Sequence, residues 1–374
     1  MFPVKINTKS FLKTLSLLVF ILFLVSCKAV GPDYEGAPEL EVPENWENQL
    51  NSKFNETGAS QTQWWTLFND PVLNDLISRA AVDNLDAKIA LARVEVARAN
   101  FGIADAARSP ELDGVGDVSE KSKSKSVSGD RDSGLYSSIG LDISWEIDIF
   151  GYVRRSIEAA DAQLERSVEA YRDVMVILYA EIAKNYVALR TAQERLQYAL
   201  ENVKSQKDTL RIVNARYKAE LVSEVDLLQS EQNLAAAESN IPLFFARINE
   251  LSNGLAILLG KNPGTLNSEL NQSYGIPHVP EKTVVKVPRE ILRQRPDIRE
   301  AERLLAQETA EVGIATAEEY PRFNLNGTFG YDSKEFDNQF SSDSRYWSFG
   351  PNFRWNIFVI LNEVKNLFIK EHSS

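Results

Sequence analysis

Few side chains in this sequence are equipped for chemistry, and they do not assemble into a catalytic set. The 374 residues contain one cysteine and two histidines, His278 and His372, well separated in the chain. No phosphate loop, metal-ligand spacing or nucleophile with a matching base stands out, so neither enzymatic activity nor a cofactor is expected. A formal net charge of −12 argues against nucleic acid as a partner, because phosphate backbones select basic surfaces. What remains is one thiol and a row of carboxylates. The thiol, Cys27, directly follows Leu24-Val25-Ser26. Upstream lie Lys5, Lys9 and Lys13 and then an apolar run from Leu15 to Val25. This is the layout of a secretory signal, residues 1–26, ending in a lipoprotein processing box. The chemistry that fits is acylation of Cys27, for example by palmitate, which would tether the mature chain to a membrane leaflet.

The carboxylates are Asp142, Glu146 and Asp148, set in the stretch IGLDISWEIDI from Ile139 to Ile149. Apolar side chains occupy every second position, Ile139, Leu141, Ile143, Trp145, Ile147 and Ile149. Strict alternation predicts a strand with one apolar and one acidic face. Its length is what a tilted strand needs to cross a bilayer. After Phe150-Gly151 the period changes. Leu164, Val168, Tyr171, Met175, Leu178, Ile182, Tyr186 and Leu189 step by four and three, and the seam continues through Leu196, Leu200, Val203, Leu210 and Tyr217. Roughly 65 helical residues at about 1.5 Å each would make a rod on the order of 100 Å long. Two successive steps of four, at Leu178, Ile182 and Tyr186, loosen the supercoil and suit the wall of a wide tube.

The seam reverses between Arg216 and Gln229, where Ser223 can cap a returning helix with Asp226 at capping-box distance. The return leg should run to about Leu259, kinked at Pro242, and stop at Gly260-Lys261-Asn262-Pro263-Gly264. Residues 261–288 are rich in proline, asparagine and glycine and read as a linker.

The chain repeats itself at an offset of 211: Asp86 with Asp297, Gly102-Ile103-Ala104 with Gly313-Ile314-Ala315, Pro110 with Pro321, Gly116 with Gly327. Each copy predicts a helix (about 84–108 and 289–318) broken before a proline, then a strand, a polar loop and a return strand. The loops are Lys121 to Ser133 and Asp332 to Arg345. Trp347, Phe349, Phe353, Trp355 and Ile357 line one face of the second return strand. Two hairpins give four strands, too few to close a barrel, and open strand edges are not tolerated in lipid. Several chains must therefore share one barrel.

Two motifs near the start carry a specific likeness. Cys27-Lys28-Ala29-Val30-Gly31-Pro32-Asp33-Tyr34 opens an arm spanning residues 27–70. Trp64-Trp65-Thr66-Leu67-Phe68-Asn69-Asp70-Pro71 closes it. In the second, Asn69 or Asp70 can cap a helix with Pro71 in its first turn, and the aromatic side chains staple the helix entry. Together they resemble the opening of the outer membrane factor family, the TolC-like efflux channels, in its NodT-type lipoprotein branch. The resemblance implies an α+β membrane protein, with long helical hairpins as an α-barrel wall and four β-strands given to an oligomeric transmembrane β-barrel. It implies a homotrimer in the outer membrane, anchored in lipid at Cys27 with its helical portion in the periplasm. Lys28 after the cysteine, with no aspartate there, agrees with outer-membrane sorting by resemblance to enterobacterial lipoproteins. The implied partners are a periplasmic adaptor (membrane fusion) protein and an inner-membrane pump. The implied activity is passive passage of drugs, metals or other small solutes.

On that reading Asp142, Glu146 and Asp148 face the lumen, and Leu221, Val222, Ser223, Asp226 and Gln229 form the tip that meets the adaptor. Glu220 stands where the family pattern has glycine. The first repeat covers 71–260 and the second, incomplete one 289–358, with a non-matching tail at 359–374. No glycine follows Phe358, and Val359-Ile360-Leu361 does not resemble Gly151-Tyr152-Val153. The expectation is a frameshift or premature stop before a second helical hairpin, or else a genuine short form, and a chain that does not form a sealed channel by itself. The competing expectation from another class is a structural coiled-coil lipoprotein without transport activity.

Overall fold

The computed structural model describes residues 28–37, 54–55, 63–122, 133–272, 275–278, 283–284, 292–334 and 336–357. The signal segment 1–26, Cys27, the loop at 123–132 and the tail at 359–374 lie outside the described residues. Contacts divide the chain into two compact units, one of Met1–Pro38, Glu95–Arg166 and Ala301–Ser374, the other of Glu39–Val94 and Ser167–Glu300.

The order of elements follows the repeat. Helices α1 (Pro71–Asp83) and α2 (Leu85–Ala106) lead into strands β1 (Glu111–Ser122) and β2 (Ser133–Ile147). The 67-residue helix α3 (Tyr152–Lys218) is followed by α4 (Glu224–Ser239), α5 (Ile241–Leu258) and the short α6 (Asn267–Leu270). Helix α7 (Pro296–Glu318) then leads into β3 (Arg322–Ser333) and β4 (Arg345–Arg354). Three expected boundaries move. The return leg is broken at Asn240 rather than kinked, because Pro242 supplies no amide hydrogen and starts a new helix, α5. The helix expected from 289 is interrupted at Arg295: residues 292–294 are helical, and a separate helix starts at Pro296, since proline fits the first helical position and no interior one. Strand β4 ends at Arg354, so Trp355 and Ile357 lie beyond it.

In the first unit the four strands form one antiparallel sheet in the order β1-β2-β3-β4. Gly114, Leu141 and Phe329 share one register row, and Trp347 continues it on β4. Each hairpin is fastened to the helix before it by the same device. The Trp145 indole donates to the carbonyl of Arg108 (3.1 Å) and the Trp355 indole to the carbonyl of Glu319 (3.0 Å). Arg108 and Glu319 are equivalent positions of the repeat, so the duplication extends to this contact.

In the second unit the core gathers α1, the middle of α3 and the second half of α5. Leu73, Leu76, Ile182, Tyr186, Leu189, Leu255 and Leu259 are wholly buried there. The expected staple forms: a 3₁₀ turn, Trp64–Phe68, sinks Trp65 against the Tyr179 ring (4.6 Å between centroids). Asp70 is the helix cap, accepting from the amides of Val72 (2.9 Å) and Leu73 (3.0 Å). Its other oxygen accepts from the buried Tyr186 hydroxyl at 2.8 Å. Burial is the main cause that pushes that phenol's pKa up to about 12, so it remains a donor at any physiological pH. Arg190, also buried, stacks on the Tyr186 ring and donates to the carbonyls of Leu270 (3.1 Å) and Gln272 (2.6 Å), which ties the linker to α3. Asp70 thus joins the motif at 64–71 to the centre of the core. Asp70→Ala removes the cap, about 1 kcal/mol, and orphans a buried hydroxyl, about 1–3 kcal/mol. Denaturant titration of the purified protein should show a loss of roughly 2–4 kcal/mol, with Asp70→Asn losing less. An Asp70→Ala protein as stable as the parent would show that the bond to Tyr186 contributes nothing.

Candidate functional site

The sheet has two chemically different faces. Outward positions carry Leu112, Val118, Ile139, Leu141, Ile143, Phe329, Trp347, Phe349 and Phe353, every one of them exposed. Large apolar side chains exposed in such a contiguous field are what a bilayer-facing ribbon presents, and a water-facing one does not. The opposite face carries Asp113, Asp117, Asp142, Ser144, Glu146, Asn324, Asn326, Thr328, Ser348 and Asn352. Glycine also serves this face: Gly140 and Gly330 are register partners, and the Tyr346 hydroxyl lies across both.

The three acids singled out from the alternation do not behave alike. Asp142 is half-buried on the polar face, directly opposite Asp113 of β1, a like-charge pair. Glu146 is on the same face but engaged by the Arg322 guanidinium through both carboxylate oxygens, one bond at 2.9 Å. Asp148 is not in the strand, because β2 stops at Ile147. Its carboxylate accepts from the amides of Val153 (3.2 Å) and Arg154 (3.0 Å) and from the Arg154 guanidinium (3.1 Å). A carboxylate is favoured at a helix N-terminus, where amides are unpaired, so Asp148 starts α3 instead of lining a wall. Sequence reasoning missed Asp113 and Asp117, although the alternation Glu111, Asp113, Val115, Asp117, Ser119 carried the signal.

The strand-to-helix junction has a second function that the alternation did not reveal. It holds the arm that follows Cys27, while Cys27 itself lies outside the described residues. The Val30 amide donates to the Phe150 carbonyl (3.0 Å), and Ala29 sits on Gly151, whose φ is +92°. A Cβ on Gly151 would come within 2.4 Å of the Ala29 Cβ. Gly31 crosses Gly313 of α7 so closely that its own Cβ would stand 2.6 Å from the Gly313 Cα. Arg155, its side chain 3% exposed, donates to the carbonyls of Val30 (3.1 Å) and Gly31 (3.2 Å), and pairs with Asp33 (2.6 Å) and Glu158 (2.7 Å). Hydrogen bonds from Arg155 and Lys28 hold the Asp33 carboxyl below its ordinary range. The glycines at 31, 151 and 313 were the sequence trace of this crossing.

At the far reversal, Ser223 and Asp226 form the predicted capping box: the Ser223 amide donates to the Asp226 carboxylate (2.9 Å) and the Ser223 side chain caps the Asp226 amide. Their polar groups are thereby occupied, and the Gln229 amide is bonded to Asn233 (3.1 Å). Val222 is half-buried. The exposed apolar surface of the tip is Leu221 and Val225, each 73% exposed, with Leu228 beside them in sequence and also exposed. Glu220 occupies the left-handed position of a Schellman ending. The Leu221 amide reaches the Arg216 carbonyl and the Glu220 amide the Tyr217 carbonyl, both at 2.9 Å, with φ of Glu220 at 60°.

Among the described residues no group of three or more His, Cys, Asp or Glu side chains is placed to hold a metal ion, and no helix is long and apolar enough to cross a membrane. Comparison with known proteins points one way. Residues 76–261 and 287–367 match the family described as outer membrane efflux protein, the second match running past the boundary expected at 358. Nodulation protein T of Rhizobium leguminosarum bv. trifolii is 30% identical over 90% of this chain and 71% of its own length. The cation efflux system protein CusC of Escherichia coli O6:H1 is 30% identical over 94% of this chain and 75% of its own. Among solved structures, the outer-membrane channel OprN superposes with a TM-score of 0.77 at 32% identity, covering 92% of this chain and 77% of that one.

The left-handed backbone at Glu220 costs about 1–2 kcal/mol for a residue with a Cβ, and glycine adopts it freely. Glu220→Gly should therefore steady the reversal by about 1 kcal/mol, read as roughly fivefold slower hydrogen exchange at the amides of residues 219–222. Unchanged or faster exchange would mean that the turn is held without strain.

Proposed function

Because the chain belongs to the outer membrane efflux protein family, we propose that it is the outer-membrane conduit of a three-part efflux assembly. In that assembly it receives small solutes, such as drugs or metal ions, from an inner-membrane pump through a periplasmic adaptor. The observation that carries this reading is the two-faced sheet, whose edge strands β1 and β4 have no outer partner among the described residues. In lipid those edges need partners, and β1 of one copy can pair with β4 of the next. A homotrimer closes twelve strands around a polar interior. Solutes pass down their gradient through that interior without covalent chemistry. Asp142, with Asp113 opposite, lines the wet wall; Glu146 also faces it, its charge answered by Arg322. The helical portion stands in the periplasm, and Leu221, Val225 and Leu228 at its reversal offer the apolar surface an adaptor coil would meet. Acylation at Cys27 adds the second attachment, just upstream of the clamped arm.

External trypsin tests the membrane reading on intact cells. The loop between β1 and β2 contains Lys123, Lys125 and Arg131 and should be cut from outside. A loop protected until the outer membrane is permeabilised would favour a coiled-coil lipoprotein with no spanning strands. Radiolabelled palmitate should enter the wild-type chain and be absent from Cys27→Ser; equal labelling of the two would remove the anchor.

A further inference from the structure

The outward face of the sheet is filled side chain by side chain except at two consecutive outward positions of β1, Gly114 and Gly116. Elsewhere on this face glycine makes room for neighbours. At Gly327 an added Cβ would meet Ile143 at 2.6 Å and Phe349 at 3.1 Å. At Gly114 an added Cβ would meet nothing within 4 Å, and at Gly116 only the Ser138 carbonyl at 3.9 Å. The space is therefore not used by the chain itself. It forms a hollow of about 540 Å³, bounded by Gly114, Gly116, Ile139, Leu141, Phe329 and Phe340. That volume lies in the range of about 300–1,000 Å³ typical of sites for small ligands.

Two features at its outer end give the hollow a chemical direction. Phe340, 72% exposed, belongs to the loop between β3 and β4 and is held at the hollow rather than hanging free. It meets the Tyr331 ring edge-on at 5.5 Å, and its neighbour Gln339, 6% exposed, donates to the Tyr331 carbonyl (3.1 Å) and accepts from the Ser137 hydroxyl. Arg345 opens β4 on the same outward face, in the register row of Tyr331, Ile139 and Gly116. It is exposed and makes no ion pair or side-chain hydrogen bond among the described residues. A guanidinium on a lipid-facing surface calls for an anion, and its planar fork matches a phosphate. Arg345 is separated from the hollow by Tyr331, its register partner and one of the lining residues, and from that row the hollow runs along β1 from Gly116 to Gly114, away from the loop end of the sheet. A lipid with its phosphate at the rim and its chains pointing inward has the same polarity.

We propose that this hollow binds one phosphorylated, acylated lipid of the outer leaflet, its phosphate on Arg345 and one acyl chain laid over Gly116 and Gly114 beside Phe340. The proposal rests on the sheet being the membrane wall. The test uses the full chain purified in detergent, offered phosphatidylglycerol or diacylglycerol with identical acyl chains, with retained lipid counted by native mass spectrometry. Phosphatidylglycerol should be retained about tenfold better than diacylglycerol. Arg345→Gln should bring it down to the diacylglycerol level, and Gly116→Leu should reduce both. Arg216→Gln, at the helical reversal and in the other unit, should change neither. Equal retention of the two lipids, or a ratio unmoved by Arg345→Gln, overturns the proposal. So does a Gly116→Leu protein that keeps its lipid but loses assembly, which would assign the hollow to a neighbouring copy. Tryptophan quenching by brominated phosphatidylcholine in vesicles reads the membrane wall separately. Its absence would remove the reading of the sheet, whereas quenching with no phosphate preference removes only the lipid site.

Discussion

A backbone amide or carbonyl placed in hydrocarbon without a partner costs several kcal/mol, roughly the scale of a whole domain's margin of stability. That constraint governs the rest of this structure. Within the sheet each strand satisfies its neighbour in continuous antiparallel register, from Glu111 opposite Ser144 on one flank to Arg322 opposite Arg354 on the other. Among the described residues the outer strands have no such neighbour, so β1 and β4 each present an open row of donors and acceptors. A protein of this family in the outer membrane has to complete its wall with other copies. The alternation of side chains is a consequence of the same requirement: once the ribbon is closed by hydrogen bonds, one face must suit lipid and the other water.

The transition from ribbon to helix is where that constraint changes hands. In β2 the backbone is paired laterally; in α3 it is paired with itself, and the first turn of α3 has amides with no partner of either kind. Asp148 supplies it. The same junction is crossed by the arm from Cys27, and the crossing is so close that Gly151, Gly31 and Gly313 leave no space for side chains. Arg155 fits this geometry because a guanidinium can serve two arm carbonyls and two carboxylates from one buried position. The arm that follows Cys27 and the start of the long helix are thereby fastened to each other, and both belong to the unit that carries the sheet.

Much of this was legible in the sequence, and the parts that were not share a cause. Alternation located the membrane strands, steps of four and three located α3, and Ser223 with Asp226 announced the capping box. These are patterns of single residues along one element. Asp148 continues the alternation, yet a strand ends where its partners end: the ladder stops at Ile147 opposite Phe323, and the position that would face Ile149 is Pro321, outside β3 and without an amide hydrogen. Arg155 looks in the sequence like one more charge near the start of a helix, because its partners in the arm are 122 to 125 positions away. The opposition of Asp113 and Asp142 needed the register between strands. The tip divides in another way: of Leu221, Val222, Ser223, Asp226 and Gln229, which the resemblance places there, Ser223 and Asp226 bond each other, while Leu221 is exposed together with Val225 and Leu228.

The duplication separates what the fold demands from what it merely permits. Arg108 and Glu319 follow the ends of the two helices that precede the hairpins, and they share no chemistry as side chains. Only their carbonyls matter, and each accepts from an indole. A helix that stops at the edge of a membrane leaves its last carbonyls facing a region where water is scarce, and tryptophan is suited to that boundary because its ring tolerates lipid while its N–H still donates. Divergence between the copies has replaced most of the surrounding sequence and left this contact in place. By contrast, the hollow at Gly114 and Gly116 belongs to one copy alone: its counterpart strand fills the equivalent of Gly116, which is Gly327, with Ile143 and Phe349. What appears twice answers to the membrane as a solvent, and what appears once has been free to become specific.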